Sequence, residues 1–239
     1  MKNKLYTVAG ILILVYSCSD GSRLAREGRE QQQKGHNVVA LNLYEKSLEQ
    51  NPSNPIALLG KGSILVRENV TRQMGISMIE KALPKIKDPG MKAEAYVALL
   101  NDSISRGDNG RADKLSQTID KQKIYSPKIF SLLARSAKNP GNVYETALLN
   151  YPESRELRLE YASWLGSRKN YVEALQQLQS SMLTGQREAA LLSARIYYLQ
   201  GNREKAIELY PKDDTHSLEI LKLINQGKWN VSIDWIQSE

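Results

Sequence analysis

The 239-residue chain holds a single cysteine, Cys18, so no disulfide can form within it. Histidine occurs only at His36 and His216, far apart in the chain. That leaves no HExxH pair for a metal and no thiol–imidazole couple for nucleophilic catalysis. Long apolar runs are also missing. Leu5 to Tyr16 is apolar apart from Thr7. As a helix it would span roughly 18 Å, against a hydrocarbon core of ~30 Å. The net charge of +7 is not gathered into a basic stripe with interleaved aromatics, so nucleic acid is not an expected partner. The "GKGS" of Gly60–Ser63 has no preceding strand and falls mid-helix, so it reads as helix packing and not as a phosphate loop. Asp213 and Asp214 beside His216 read as a linker. The chain is therefore expected to be non-catalytic, with no metal and no small-molecule cofactor.

What is present begins at the N-terminus. Lys2 and Lys4 precede the apolar run, and a small residue, Ser17, precedes Cys18. This order is that of a secretory signal peptide. Its end resembles the lipobox of bacterial lipoproteins: Val15, Ser17 and Cys18 match, and Tyr16 departs from the small residue usual there. Relaxed boxes of this kind look similar to those of spirochaetes. The resemblance implies that residues 1–17 are removed and that Cys18 becomes the first residue, carrying a covalent diacylglyceryl group and commonly an N-acyl chain. More than one acyl chain anchors stably where a single one does not. The expected location is the bacterial cell envelope. Ser19 comes directly after the cysteine and the acid one later, at Asp20, which favours the outer membrane.

Beyond the anchor the sequence repeats. "NVVALNLYEKSLEQNPSNPIALLGKG", Asn37 to Gly62, places small residues, aromatics and Pro at recurring offsets. Ala40, Ala112, Ala174 and Ala206 recur at multiples of about 31 to 36 residues. Further echoes are Ile79 with Ala82, Tyr144 with Ala147 and Pro152, Ala162 with Tyr171, and Ala194 with Gly201 and Tyr210. These slots resemble the tetratricopeptide repeat. In a repeat started at Gly21, Gly28, Gly35, Ala40, Tyr44, Ser47 and Pro52 fall on the pattern. The resemblance implies an all-α fold: a right-handed α-solenoid of about six helix-turn-helix repeats over residues 23–213. Residues 18–22 form a tether with a reach of ~13 Å. Residues 214–239 form a degenerate terminal repeat, a pair of capping helices. Pro140 should start a short second helix. No repeat buries its apolar face alone, so stability comes from stacking neighbours.

In this family the first helices of successive repeats line a groove. The slots that usually bind carry over to Arg29, Gln32 and Gln33, to Ser63 and Arg67, to Asn101, and to Arg195 and Tyr198. Arginines, amides and a tyrosine would suit an acidic or extended peptide. Only Asn101 occupies a slot of the two-carboxylate clamp found in chaperone adaptors, so that mode is not expected. Arg23, Arg26 and Arg29 fringe lipid headgroups, or else Arg23 and Arg26 pair with Glu27 and Glu30 one turn on. At the C-terminus Trp229, Ile233 and Ile236 should share an inward helical face. Val231 and Trp235 share another, which either docks a partner or is buried. The functional expectation is a lipid-anchored adaptor binding other proteins of the envelope. The alternative is a surface-displayed lipoprotein that binds host or extracellular molecules.

Overall fold

The computed structural model describes residues 21–180, 183–212 and 215–230. Cys18 and its leader, and the pair Val231 and Trp235, lie outside the described residues. The chain divides into two compact units, Met1–Tyr125 and Ser126–Glu239. Among the described residues there are helices and turns and no strands.

Unit 1 contains α1 (residues 21–33), α2 (Asn37–Gln50), α3 (Pro55–Leu65), α4 (Arg72–Ala82), α5 (Pro89–Ser105) and α6 (Asn109–Gln122). A short 3₁₀ turn, Leu83–Lys85, comes after α4. Helix starts are written into the sequence. Asn54 accepts from the backbone N–H groups of Ile56 and Ala57, Asp88 from Met91, and Asp108 from Arg111. Pro55 and Pro89 stand next to their caps at the first helical position, where the missing N–H costs nothing.

Two apolar clusters join the first five helices. Ala25, Ala40, Tyr44 and Ala57 join α1, α2 and α3. Leu58, Leu59, Ile76, Ile79, Ala95 and Leu99 join α3, α4 and α5. Small residues permit the close approach of the helices. A Cβ on Gly28 would lie 2.8 Å from the Tyr44 ring, and one on Gly62 would lie 2.8 Å from the Gly75 carbonyl. Gly60 and Gly62 of "GKGS" are both buried in α3.

Unit 2 contains α7 (Pro127–Ser136), α8 (Pro140–Asn150), α9 (Arg155–Ser167), α10 (Tyr171–Leu178), α11 (Arg187–Leu199), α12 (Arg203–Leu209) and α13 (Thr215–Asn225). Pro140 does open α8, which runs 11 residues. The shortest second helices are α10 and α12, at 8 and 7 residues. Ala194, Ala206, Tyr210 and Ile224 form the last cluster.

Several turns share one device. Gly35, Gly107 and Gly201 have φ of 80, 67 and 82°, and Lys169 stands at 63° in the equivalent turn. In each, the N–H of that residue bonds three back and the next N–H bonds five back, as in His36 to Gln31 and Asn170 to Leu165. This is the left-handed helix stop that Gly adopts without strain.

The structure differs from the sequence expectations at three places. The first helix is already formed at Gly21, two residues inside the stretch assigned to the tether. The Gly21 carbonyl is the reason: it accepts from Ser47 Oγ at 2.6 Å and Asn54 Nδ2 at 3.4 Å. His216, expected in a turn, belongs to the first turn of α13. Trp229, expected on a helix face, lies outside any helix, just after the Gly227 turn. It still packs inward, against Tyr198 and Tyr210 with ring centroids at 5.2 and 5.5 Å.

Candidate functional site

In unit 1, six of the eight residues carried over to the groove line two adjoining cavities, from α1, from α3 and the turn after it, and from α5. Arg29, in α1, forms an ion pair with Glu94 of α5 at 2.6 Å. Beside it, Gln32 Nε2 donates to Ser63 Oγ at 3.0 Å, and the Tyr44 hydroxyl donates to Gln32 Oε1 at 2.7 Å. Arg29, Gln32, Gln33, Ser63, Arg67 and Glu94 line a cavity of about 250 Å³ with Tyr44 and Gly60 at its base. Burial pushes the Tyr44 phenol up to about 12, with the Arg29 charge pulling the other way. The phenol is therefore a neutral donor that fixes Gln32.

A second cavity of about 490 Å³ adjoins the first through Arg67. It is lined by Arg67, Asn69, Asn101, Asp102, Ser105 and Arg106, with Val66 and Ala98. Asp102 is buried, its side chain only 6% exposed, and three arginines surround it. Oδ1 lies 2.8 Å from Arg72 Nε and 3.4 Å from Arg106 Nε, and Oδ2 lies 3.5 Å from Arg111 Nη1. Arg111 also reaches Glu80 at 3.1 Å, and Arg106 donates to Asn69 Oδ1 at 2.7 Å. Removing Asp102 from water is tolerable only because these cations compensate it. Arg67 is exposed, and among the described residues its side chain enters no ion pair.

The wall thus offers one uncommitted guanidinium, the side-chain amides of Gln33, Asn69 and Asn101, and an engaged hydroxyl–amide pair at Ser63 and Gln32. Such groups bind carboxylates and backbone amides. Among the described residues no three His, Cys, Asp or Glu side chains converge as a metal would need, and no helix is long and apolar enough to cross a membrane. Of the three basic residues near the N-terminus, Arg23 pairs with Glu27 at 3.6 Å and Arg29 with Glu94.

In unit 2 the acids of α9 are paired with polar and basic side chains of α7. Glu160 of α9 accepts from Ser131 Oγ at 2.8 Å and lies 3.5 Å from Arg135, both in α7. Lys128 faces Glu156 at 3.4 Å. Burial and the neighbouring Glu160 together raise the Tyr144 phenol far above its ordinary value. Arg195 is half-buried on α11. Tyr198 points to the C-terminal segment, where its hydroxyl accepts from the Trp229 backbone N–H at 3.1 Å. It serves there as a packing partner of Trp229.

Sequence reasoning missed Tyr44 as a site residue, along with Glu94, Asn69 and the Asp102 cluster. The spacing of Asp102 and Arg106, one turn apart, was the one readable signal for that cluster.

Residues 26–69 match the tetratricopeptide-repeat family model, a span from α1 past the end of α3. No curated protein matches the chain in sequence. Among solved structures, one described as a functional characterisation of Pseudomonas aeruginosa pilF superposes with a TM-score of 0.66 at 17% identity, covering 88% of this chain and 93% of that one. A tetratricopeptide repeat protein from Parabacteroides merdae superposes with a TM-score of 0.55 at 17% identity, over 84% and 83%. At such identities the likeness concerns the fold. The all-α repeat array expected from the sequence is the one present: this chain has the fold of tetratricopeptide-repeat proteins.

Proposed function

We propose that this protein is a non-catalytic adaptor of the bacterial cell envelope, anchored by a diacylglyceryl group on Cys18, that binds an extended segment of another protein on the face formed by α1, α3 and α5. Repeat arrays of this fold are protein-interaction scaffolds, and the face in unit 1 has the polar groups such a role needs. The observation that carries the reading is Arg67. It is exposed, lines both cavities, and leaves a cation free between amides at Gln33 and Asn101. A carboxylate-bearing segment laid across α3 would meet it. The anchor reading rests on the order of charge, apolar run, Ser17 and Cys18, with the outer membrane favoured by Ser19.

The test is crosslinking in cells and then affinity capture, with wild type, Arg67→Glu, Asn101→Ala and Cys18→Ser side by side. The expected result is a defined protein partner for wild type and loss of most of it for Arg67→Glu. Cys18→Ser should move the protein from the membrane to the soluble fraction. Equal capture by wild type and Arg67→Glu would remove the binding face from the proposal. Membrane retention of Cys18→Ser would remove the anchor.

A further inference from the structure

A cleft in unit 2 plays no part in that binding face. It has a volume of about 560 Å³ and is formed by α10, α11, α12 and, between α10 and α11, by Gln179, Leu183, Gly185 and Gln186. Its floor is apolar, with Leu178, Leu183 and Ala189 buried and Leu175, Ala190 and Leu209 half-buried. Three cations stand on its rim, Arg187, Lys205 and Lys212, and no carboxylate is among the described lining residues. The volume falls in the range of sites that hold apolar groups.

The placement of the cations identifies the occupant. Arg187 opens α11, and Tyr197 lines the other end of the cleft about ten residues on, a distance of about 15 Å. α12 begins after a three-residue turn and so returns antiparallel. Lys205, in the first turn of α12, therefore stands at the Tyr197 end, and Lys212, past the end of α12, stands at the Arg187 end. One compact anionic headgroup cannot serve both ends. A helix of about three turns can, with apolar side chains down and an acid near each end. Lys205 already holds Glu208 at 3.0 Å. That pair is exposed on the Glu208 side, so an incoming carboxylate competes for the ammonium at low cost.

We propose that the α10–α11–α12 cleft is a second binding site, for an acidic amphipathic helix of a partner protein. The apolar floor supplies affinity and the cations at both ends fix the orientation.

The test uses the full chain carrying Cys18→Ser. The probe is a fluorescent 14-residue amphipathic helix with leucines on one face and glutamates about ten residues apart. Controls are its lysine counterpart, a proline-interrupted version, and vesicles of anionic phospholipid. The glutamate helix should bind at least tenfold tighter than either peptide control. Lys212→Glu, a surface change, should weaken it about fivefold. Ala190→Trp, which fills the cleft, should abolish binding with helix content unchanged by circular dichroism, while Arg67→Glu has no effect. Equal binding of the lysine or the interrupted peptide would overturn the proposal, as would insensitivity to both Lys212→Glu and Ala190→Trp. Vesicle binding that is lost with Ala190→Trp, without peptide binding, would assign the cleft to lipid instead. A tenfold gain on deleting residues 231–239 would assign it to the chain's own terminus.

Discussion

The ring of Tyr44, in α2, fills the space that a side chain on Gly60, in α3, would need, so a Cβ built on Gly60 overlaps Tyr44. A Cβ built on Gly28 of α1 would likewise lie 2.8 Å from the same ring. One aromatic therefore sets the spacing of three helices, and it does so with no exposed surface of its own.

Gly60→Ala should destabilise the protein. Overpacking a fully buried ring costs about 3 kcal/mol, and the better helix propensity of Ala returns about 1. The net expectation is a loss of about 2 kcal/mol by urea denaturation. Gly110→Ala in α6 is the control of opposite sign. Its Cβ would meet only Asp108 Oδ1 at 3.9 Å, so it should stabilise by about 0.5 to 1 kcal/mol.

Asp102→Ala should be among the most damaging single changes in unit 1. It would leave Arg72, whose side chain is 22% exposed, without its carboxylate. Breaking a buried pair by removing one partner costs about 3–5 kcal/mol. Arg106→Ala removes a longer contact from a side chain 42% exposed, and should cost under about 1 kcal/mol. Equal losses for the two variants in chemical denaturation would contradict the picture of Asp102 as a buried centre.

Lys169 and Gly201 stop equivalent helices in the same left-handed conformation. Lys169→Gly should relieve strain and stabilise by up to ~1 kcal/mol, while Gly201→Ala should cost about 1. Thermal midpoints would move in opposite directions. A drop for Lys169→Gly would mean that its side chain is needed in the turn.

Stability should fall at alkaline pH. Burial pushes Tyr44 up to about 12, and Tyr161 up to about 12 with the help of Glu145, from the ordinary 10. Between pH 10 and 12 the unfolded chain loses these protons and the folded chain keeps them. The contribution of the raised phenols is thus complete below pH 10 and is lost as pH rises toward 12. Phenolate absorbance in a pH titration should show Tyr44, Tyr161 and Tyr144 among the groups that titrate late. Tyr44→Phe should remove one of them, and should cost about 1 kcal/mol at neutral pH through the lost hydrogen bond to Gln32.

The repeat itself was legible because its constraints are local. Gly35, Gly107 and Gly201 announce their turns by needing positive φ, and Ala40, Ala174 and Ala206 announce close packing by being small. Lys169 performs the same turn without the glycine that would reveal it. Beyond the Asp102–Arg106 spacing the cluster at Asp102 was not legible, because Arg72 comes from α4 and Arg111 from α6 and they meet Asp102 only after the helices stack. Tyr198 shows the opposite failure. Its slot pointed to a groove, yet the C-terminal segment supplies a nearer partner in Trp229. A slot rule describes the repeat and is blind to the segment packed on the last one.

The Gly21 carbonyl has a mechanical meaning. Ser47 and Asn54 both hold it, so the first turn of α1 is fastened to the end of α2 and to the cap of α3. A pull that enters the chain upstream of Gly21 is shared at once among three helices. The helix pairs behind it would feel that load together, and α1 would not be peeled away first.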